Sequence, residues 1–151
     1  MSSSRWSKND EGFAGGAEGL VFGLLVFVIG TLIVASAWGV VDTKMATGTA
    51  ASDAARTYVE AGNAADAATG ARTAADDVLA GLGRDPSRAS LAVTGGGFRR
   101  CQRITVRVGY PSPLLVLPFV GRVGRGLEVS SAHSELVDPY RAGLAGTASC
   151  T

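Results

Sequence analysis

The stretch that most restricts what this chain can become is residues 19–41, GLVFGLLVFVIGTLIVASAWGVV, which has no charged side chain. Leu, Val, Phe and Ile dominate it. As a helix these residues reach about 34 Å, enough to cover the hydrocarbon core of a bilayer. Trp6 before the run and Trp38 near its far end suit the two membrane–water interfaces. The leader MSSSRWSKND carries Arg5 and Lys8, which favours an N-terminus in the cytoplasm, although Asp10 and Glu11 follow. No later stretch is long enough to span, so the remainder is expected outside the cytoplasm. The expectation is a single-pass anchor.

Glu18 is the only charged residue between Gly12 and Val41. A carboxylate beside lipid is costly and marks a candidate functional position. The plainer alternative puts Glu18 in the head-group layer, with the span starting at Gly19. Gly15, Gly19 and Gly23, then Ala35 and Gly39, recur at four-residue spacing. Small residues on one face let a second helix approach closely in lipid, although a Gly- and Ala-rich chain produces some such matches by chance. A rival reading rests on Ala35-Ser36-Ala37, a small-x-small pattern open to signal peptidase. Cleavage after Ala37 would release a soluble, secreted domain. Against it, the apolar run is longer than an ordinary signal core and continues unbroken to Val41.

Residues 42–83 are alanine-rich and free of proline, which favours helix. Gly48, Ala51, Ala55, Tyr58 and Val59 fit one side of a helix, with Asp53, Arg56 and Glu60 on another. The expected helix continues from the span to about residue 61 and breaks at Gly62-Asn63; a second runs over 64–82 and ends at Gly83. Its weak apolar face implies support from neighbours. After the turn signal RDPSR the texture changes to strands. SLAVT (90–94) reads as a short strand before the flexible Gly95-Gly96-Gly97. In CQRITVRVGY, Ile104, Val106, Val108 and Tyr110 alternate with Arg103, Thr105 and Arg107, the clearest strand in the chain. LEVSSAHSE (127–135) reads as its partner. Between them, the three prolines of PSPLLVLPFVG argue against a regular element. Its apolar cluster 114–120 has three candidate roles: covering the domain's own core, touching a bilayer, or touching a neighbouring subunit.

Net charge is near zero, but its distribution is uneven. Residues 42–81 hold six acids against three bases, whereas 84–125 hold eight arginines against Asp85 alone. Such a split suggests an acidic and a basic element that meet, within a subunit or between subunits. Arginine clusters also bind anionic lipid or nucleic acid. Only Phe98 lies beside the arginines, with Tyr110 on the opposite strand face, so a base-stacking surface is poorly supplied and nucleic acid is not expected as a partner.

Cys101 and Cys150 both fall on the exported side, where a disulfide is favoured and only one pairing exists. A metal site is disfavoured, since His133 is the sole histidine and no Cys-x-x-Cys occurs. GRVGRGLE lacks the Lys-Ser/Thr ending of a phosphate loop. Ser131, His133 and Ser134 lie along one strand, whereas a catalytic triad is assembled from distant residues. The residues supply no catalytic constellation, no enzyme activity is expected, and no cofactor is called for.

The order of these parts resembles the TadE-like family, minor pilin-like proteins of tight-adherence (Flp-type) pilus systems, in a form similar to actinobacterial members. DEGFAGGAEGLVFGLLVF joined to AASDAARTYV carries the resemblance most specifically; ITVRVGYPSP adds looser support. The likeness runs from about residue 10 to residue 141. It implies a membrane-anchored pseudopilin that assembles a pilus or related secretion machine. The implied partners are other pilins or pseudopilins, the assembly platform, a prepilin peptidase and membrane lipid. It also implies processing near Gly12, Phe13 and Ala14. Here the family pattern is shifted: cutting after Gly12 makes Glu18 the sixth residue, and cutting after Phe13 restores the fifth place without the glycine. In such an assembly Glu18 would meet the new N-terminal amine of a neighbour, with Gly15, Gly19 and Gly23 allowing the approach. The predicted fold is α+β: leader 1–18, membrane helix 19–41, Ala-rich helices 42–83, and a small antiparallel sheet region 84–151.

Overall fold

In the computed structural model, residues 11–112, 115–117, 121–123 and 126–150 are described, with side chains described over 18–112 and 126–150. Trp6 and the rest of the leader lie outside them. The first element, α1, is one helix over Glu11–Glu60, 50 residues without a break. At 1.5 Å per residue it is about 75 Å long. Its apolar half is long enough to cross a membrane. Along that half the large side chains are uncovered; Leu20, Phe22 and Phe27 are 70% exposed or more. Above Asp42 the same helix becomes the spine of a folded domain.

Gly62 and Asn63 end α1 and start α2 (Ala64–Gly81) as the sequence predicts. The Asn63 side chain accepts from the backbone N–H groups of Ala65 and Asp66, both at 3.0 Å, which satisfies two of the orphan donors of the first turn. At the other end Gly83 takes φ of +70°, a left-handed conformation suited to glycine, and α2 stops. Ala67, Ala71, Ala75 and Leu79 are buried at four-residue spacing. They meet the buried Ala46, Ala50, Ala51, Ala54 and Ala55 of α1 within one core. Alanine gives a thin interface with no side-chain entropy to lose, so the helices approach closely.

The sheet follows as β1 (Ser90–Gly95), β2 (Arg103–Ser112) and β5 (Leu127–Leu136), all antiparallel, in the order β1-β2-β5. Ile104, Val106, Val108 and Tyr110 are buried against the helices, the face that alternation assigns them. A short 3-10 turn, Pro86–Arg88, leads into β1. Asp85 caps it, accepting from the Ser87 hydroxyl at 2.7 Å and its backbone N–H at 3.0 Å; these bonds hold the carboxyl below its ordinary range.

One expectation needs correcting. PSPLLVLPFVG is not wholly irregular: β3 (Leu115–Leu117) pairs antiparallel with β4 (Gly121–Val123) as a separate two-stranded hairpin. Pro111 lies inside β2, beyond the end of β1, where β5 is its only neighbour, so the missing N–H is tolerated. The acidic and basic segments, expected to meet within a subunit or between subunits, meet within this fold at a single place among the described residues. One ion pair joins them there, Arg84 Nη2 to Asp42 Oδ2 at 2.5 Å. The reason is geometric: β2 turns Ile104, Val106 and Val108 toward the helices, which leaves Arg103 and Arg107 exposed on the far face.

The disulfide Cys101–Cys150 is present and ties the C-terminal tail to the start of β2. Closing a separation of 49 residues stabilises by about 4 kcal/mol in the chain-entropy treatment. The double variant Cys101→Ser, Cys150→Ser should lose about that much in denaturant unfolding of the detergent-solubilised protein. Ala71→Leu, placed in the all-alanine seam, should cost about 1–3 kcal/mol by overpacking in the same measurement.

Candidate assembly surface

Two parts of α1 stand out: the bare apolar half and the joint that fixes it to the domain. At the joint a chain of hydroxyls runs between helix and sheet. Thr43, Thr47, Ser112 and Ser131 are all buried. Thr47 Oγ1 and Ser131 Oγ lie 2.9 Å apart, Thr43 Oγ1 donates to Ser112 Oγ at 3.4 Å, and Ser131 Oγ donates to the Lys44 carbonyl at 3.3 Å. Lys44 Nζ in turn donates to the Ser130 carbonyl. Thr43 and Thr47 also donate to carbonyls of their own helix, those of Gly39 at 2.7 Å and Thr43 at 3.0 Å, so it is the sheet hydroxyls of Ser112 and Ser131 that depend on the height and rotation of α1 for partners.

Arg84 closes this joint from the α2 side. Its guanidinium donates to Thr43 Oγ1 at 3.2 Å as well as to Asp42, and stands 5.3 Å from the Tyr110 ring centroid. Arg88 approaches the same ring at 5.6 Å. Together with Asp42, Leu82, Asp85 and Pro111 they line a cleft of about 550 Å³ beside the point where the apolar run ends. At the far end of α1, Arg141 donates to the Val59 and Glu60 carbonyls, both at 2.6 Å. A cation on the last free carbonyls of a helix satisfies them and complements the helix dipole. Phe98 packs edge-on to Tyr58 at 5.8 Å and under Arg141 at 6.0 Å.

Sequence reasoning missed both fasteners. Thr43 and Thr47 are one helical turn apart, a legible signal, but Ser112 and Ser131 become their partners only through sheet register. Arg141 follows a Pro-Tyr pair in an irregular segment, and no local pattern points to the helix end 81 residues earlier.

Of the residues singled out near the membrane, Gly12, Phe13 and Ala14 lie within α1, since it begins at Glu11. Glu18 is exposed. It shares an open apolar patch with Val21, Phe22 and Leu25. Gly15, Gly19 and Gly23 follow one another at steps of about 40° around α1, as one stripe. A Cβ built on Gly19 or Gly23 would touch nothing within 4 Å. Glu18 is not on that stripe; it stands about 100° from Gly19 and about 60° from Gly15. Ser36 and Ala54 follow Glu18 at intervals of about five full turns, so the carboxylate faces the side of α1 that the domain covers higher up. A helix lying in the glycine stripe would therefore have Glu18 at its flank.

The three residues of the Ser-x-His stretch are used in packing and surface pairing. Ser131 belongs to the buried hydroxyl chain, Ser134 Oγ meets Thr105 Oγ1 at 2.8 Å, and His133 Nε2 meets Glu135 Oε1 at 3.0 Å. No family model, curated protein or solved structure matches this chain.

Thr47→Val keeps the shape and removes the hydroxyl facing Ser131. It should cost about 1–3 kcal/mol in denaturant unfolding, with Thr47→Ser close to the native value.

Proposed function

We propose that this chain is a membrane-anchored pseudopilin of the TadE-like type, which acts in assembling a pilus or related secretion machine by helix packing rather than by catalysis. The observation that carries this reading is the division of one helix into a bare apolar half and a half clad by the domain. A helix left uncovered over that length requires lipid or other helices around it. The domain gives it a fixed orientation, so subunits that pack through the apolar half also set their domains in register.

Within this reading Glu18 is the register device. When apolar helices pack around it, the carboxylate needs a cation, and a neighbour's free N-terminal amine after processing near Gly12, Phe13 and Ala14 supplies one. Removing one partner of a buried pair costs about 3–5 kcal/mol. The Arg103 and Arg107 face, which finds no acidic partner in the fold's own helices, is free to meet the exposed Asp53 and Asp77 of another subunit. The N-terminus lies in the cytoplasm and the domain outside it. The apolar run is longer than an ordinary signal core and continues through Trp38 to Val41, which supports retention of the apolar half over release at Ala37.

Glu18→Gln should still insert into membranes but co-purify with fewer pilus or platform subunits from its own host. Membrane fractionation and quantitative pull-down check both halves. Unchanged co-purification would remove Glu18 from the mechanism.

A further inference from the structure

The direction of each strand relative to α1 identifies which end of the domain faces the lipid. Ser112, the last residue of β2, bonds Thr43, two residues above the end of the uncharged run at Val41. Ser131 sits beside Thr47 one turn higher, and Arg141 lies at the top of α1. β2 therefore descends toward the membrane and β5 climbs away from it. The β3–β4 hairpin, inserted between Ser112 and Leu127, hangs from the membrane-proximal end, and β3 lies against α1.

Two further observations point the same way. Within residues 19–41 every residue is exposed except Leu32, Ser36 and Val40, which are partly covered. They recur at four-residue steps on the face that continues up to Thr43, directly below Ser112. Outside the apolar run, the exposed large apolar side chains are Met45, Leu82, Leu127, Leu136 and Tyr140 among the described residues, and the first three surround the exit of the span.

We infer that the β3–β4 hairpin and the exposed Leu82 and Leu127 form a second membrane contact, seated in the outer-leaflet interface against the upper part of the span. This inference rests on reading residues 19–41 as a transmembrane segment. The run is about 34 Å long against a core of about 30 Å, so its last turn already stands in the interface. Arg84 and Arg88 stand at the same end, at the level of the lipid phosphates, with Asp42 and Asp85 beside them. The second contact limits how far α1 and its domain can tilt together on the bilayer.

The test uses the full-length chain, disulfide intact, in vesicles of phosphatidylcholine and phosphatidylglycerol. Single cysteines replace Val116, Leu82, Thr94 or Phe27 and carry an environment-sensitive fluorophore. Lipid-borne nitroxide should quench the labels of Val116→Cys and Leu82→Cys, as it quenches that of Phe27→Cys, while the label of Thr94→Cys loses fluorescence only to aqueous iodide. If Val116→Cys and Leu82→Cys follow Thr94→Cys while Phe27→Cys stays lipid-quenched, the hairpin contact is overturned and the span stands. If Phe27→Cys itself follows Thr94→Cys, the span fails and the hairpin contact with it. Protection of Val116→Cys from both quenchers would give the surface to protein, a second copy or α1 itself, and also overturn the inference. Should Val116→Cys not fold, Leu82→Cys, on an exposed site, decides alone.

Discussion

Everything in this structure depends on the hydroxyl joint between α1 and the sheet. A 50-residue helix with one bare apolar half and one half in a domain transmits orientation only if it cannot rotate or slide against that domain. Packing between the helix alanines alone would resist such slippage weakly, because small side chains interlock little. The hydroxyls of Thr43 and Thr47 are also held by carbonyls of their own helix, but Ser112 and Ser131 find their partners on α1, and a shift of one residue would leave these two buried sheet hydroxyls without them. Arg84 at the lower end and Arg141 at the upper end add charged contacts that agree with the same register.

The joint explains why a small, alanine-rich core suffices. Much of the interior is made of residues that bury little area each, and Leu79, Ile104, Val106, Val108 and Val137 are the largest side chains that are fully buried. Such a core supplies modest hydrophobic stabilisation. The covalent tie at Cys101–Cys150 and the capping of both helix ends then carry a larger share of the stability than they would in a thicker domain.

Legibility in the sequence followed how local each cause is. The alternation from Arg103 to Tyr110, the Gly62-Asn63 break and the Gly83 stop are written in neighbouring residues, and each was readable. The cysteine pairing was readable for a different reason, since two cysteines allow one answer. The β3–β4 hairpin was not, because its prolines argue locally against strands and the ladder forms only where β2 leaves the main sheet. Acids and arginines were expected to meet within a subunit or between subunits; within the fold they do so at Arg84 and Asp42, because sheet alternation turns Arg103 and Arg107 away from the helices. Placing Glu18 beside the glycine stripe instead of on it required helical phase, which four-residue spacing alone conceals.

The central claim is that the apolar half of α1 remains part of the working protein. The intact mass and N-terminal sequence of the chain, taken from the membranes of its own host, test this most directly. The account predicts a membrane-bound chain whose first residue is no later than Ala14, with Phe13 or Ala14 marking pilin-type processing. A soluble chain beginning at Trp38 would contradict it, because the domain would then have lost the helix surface through which it is proposed to assemble.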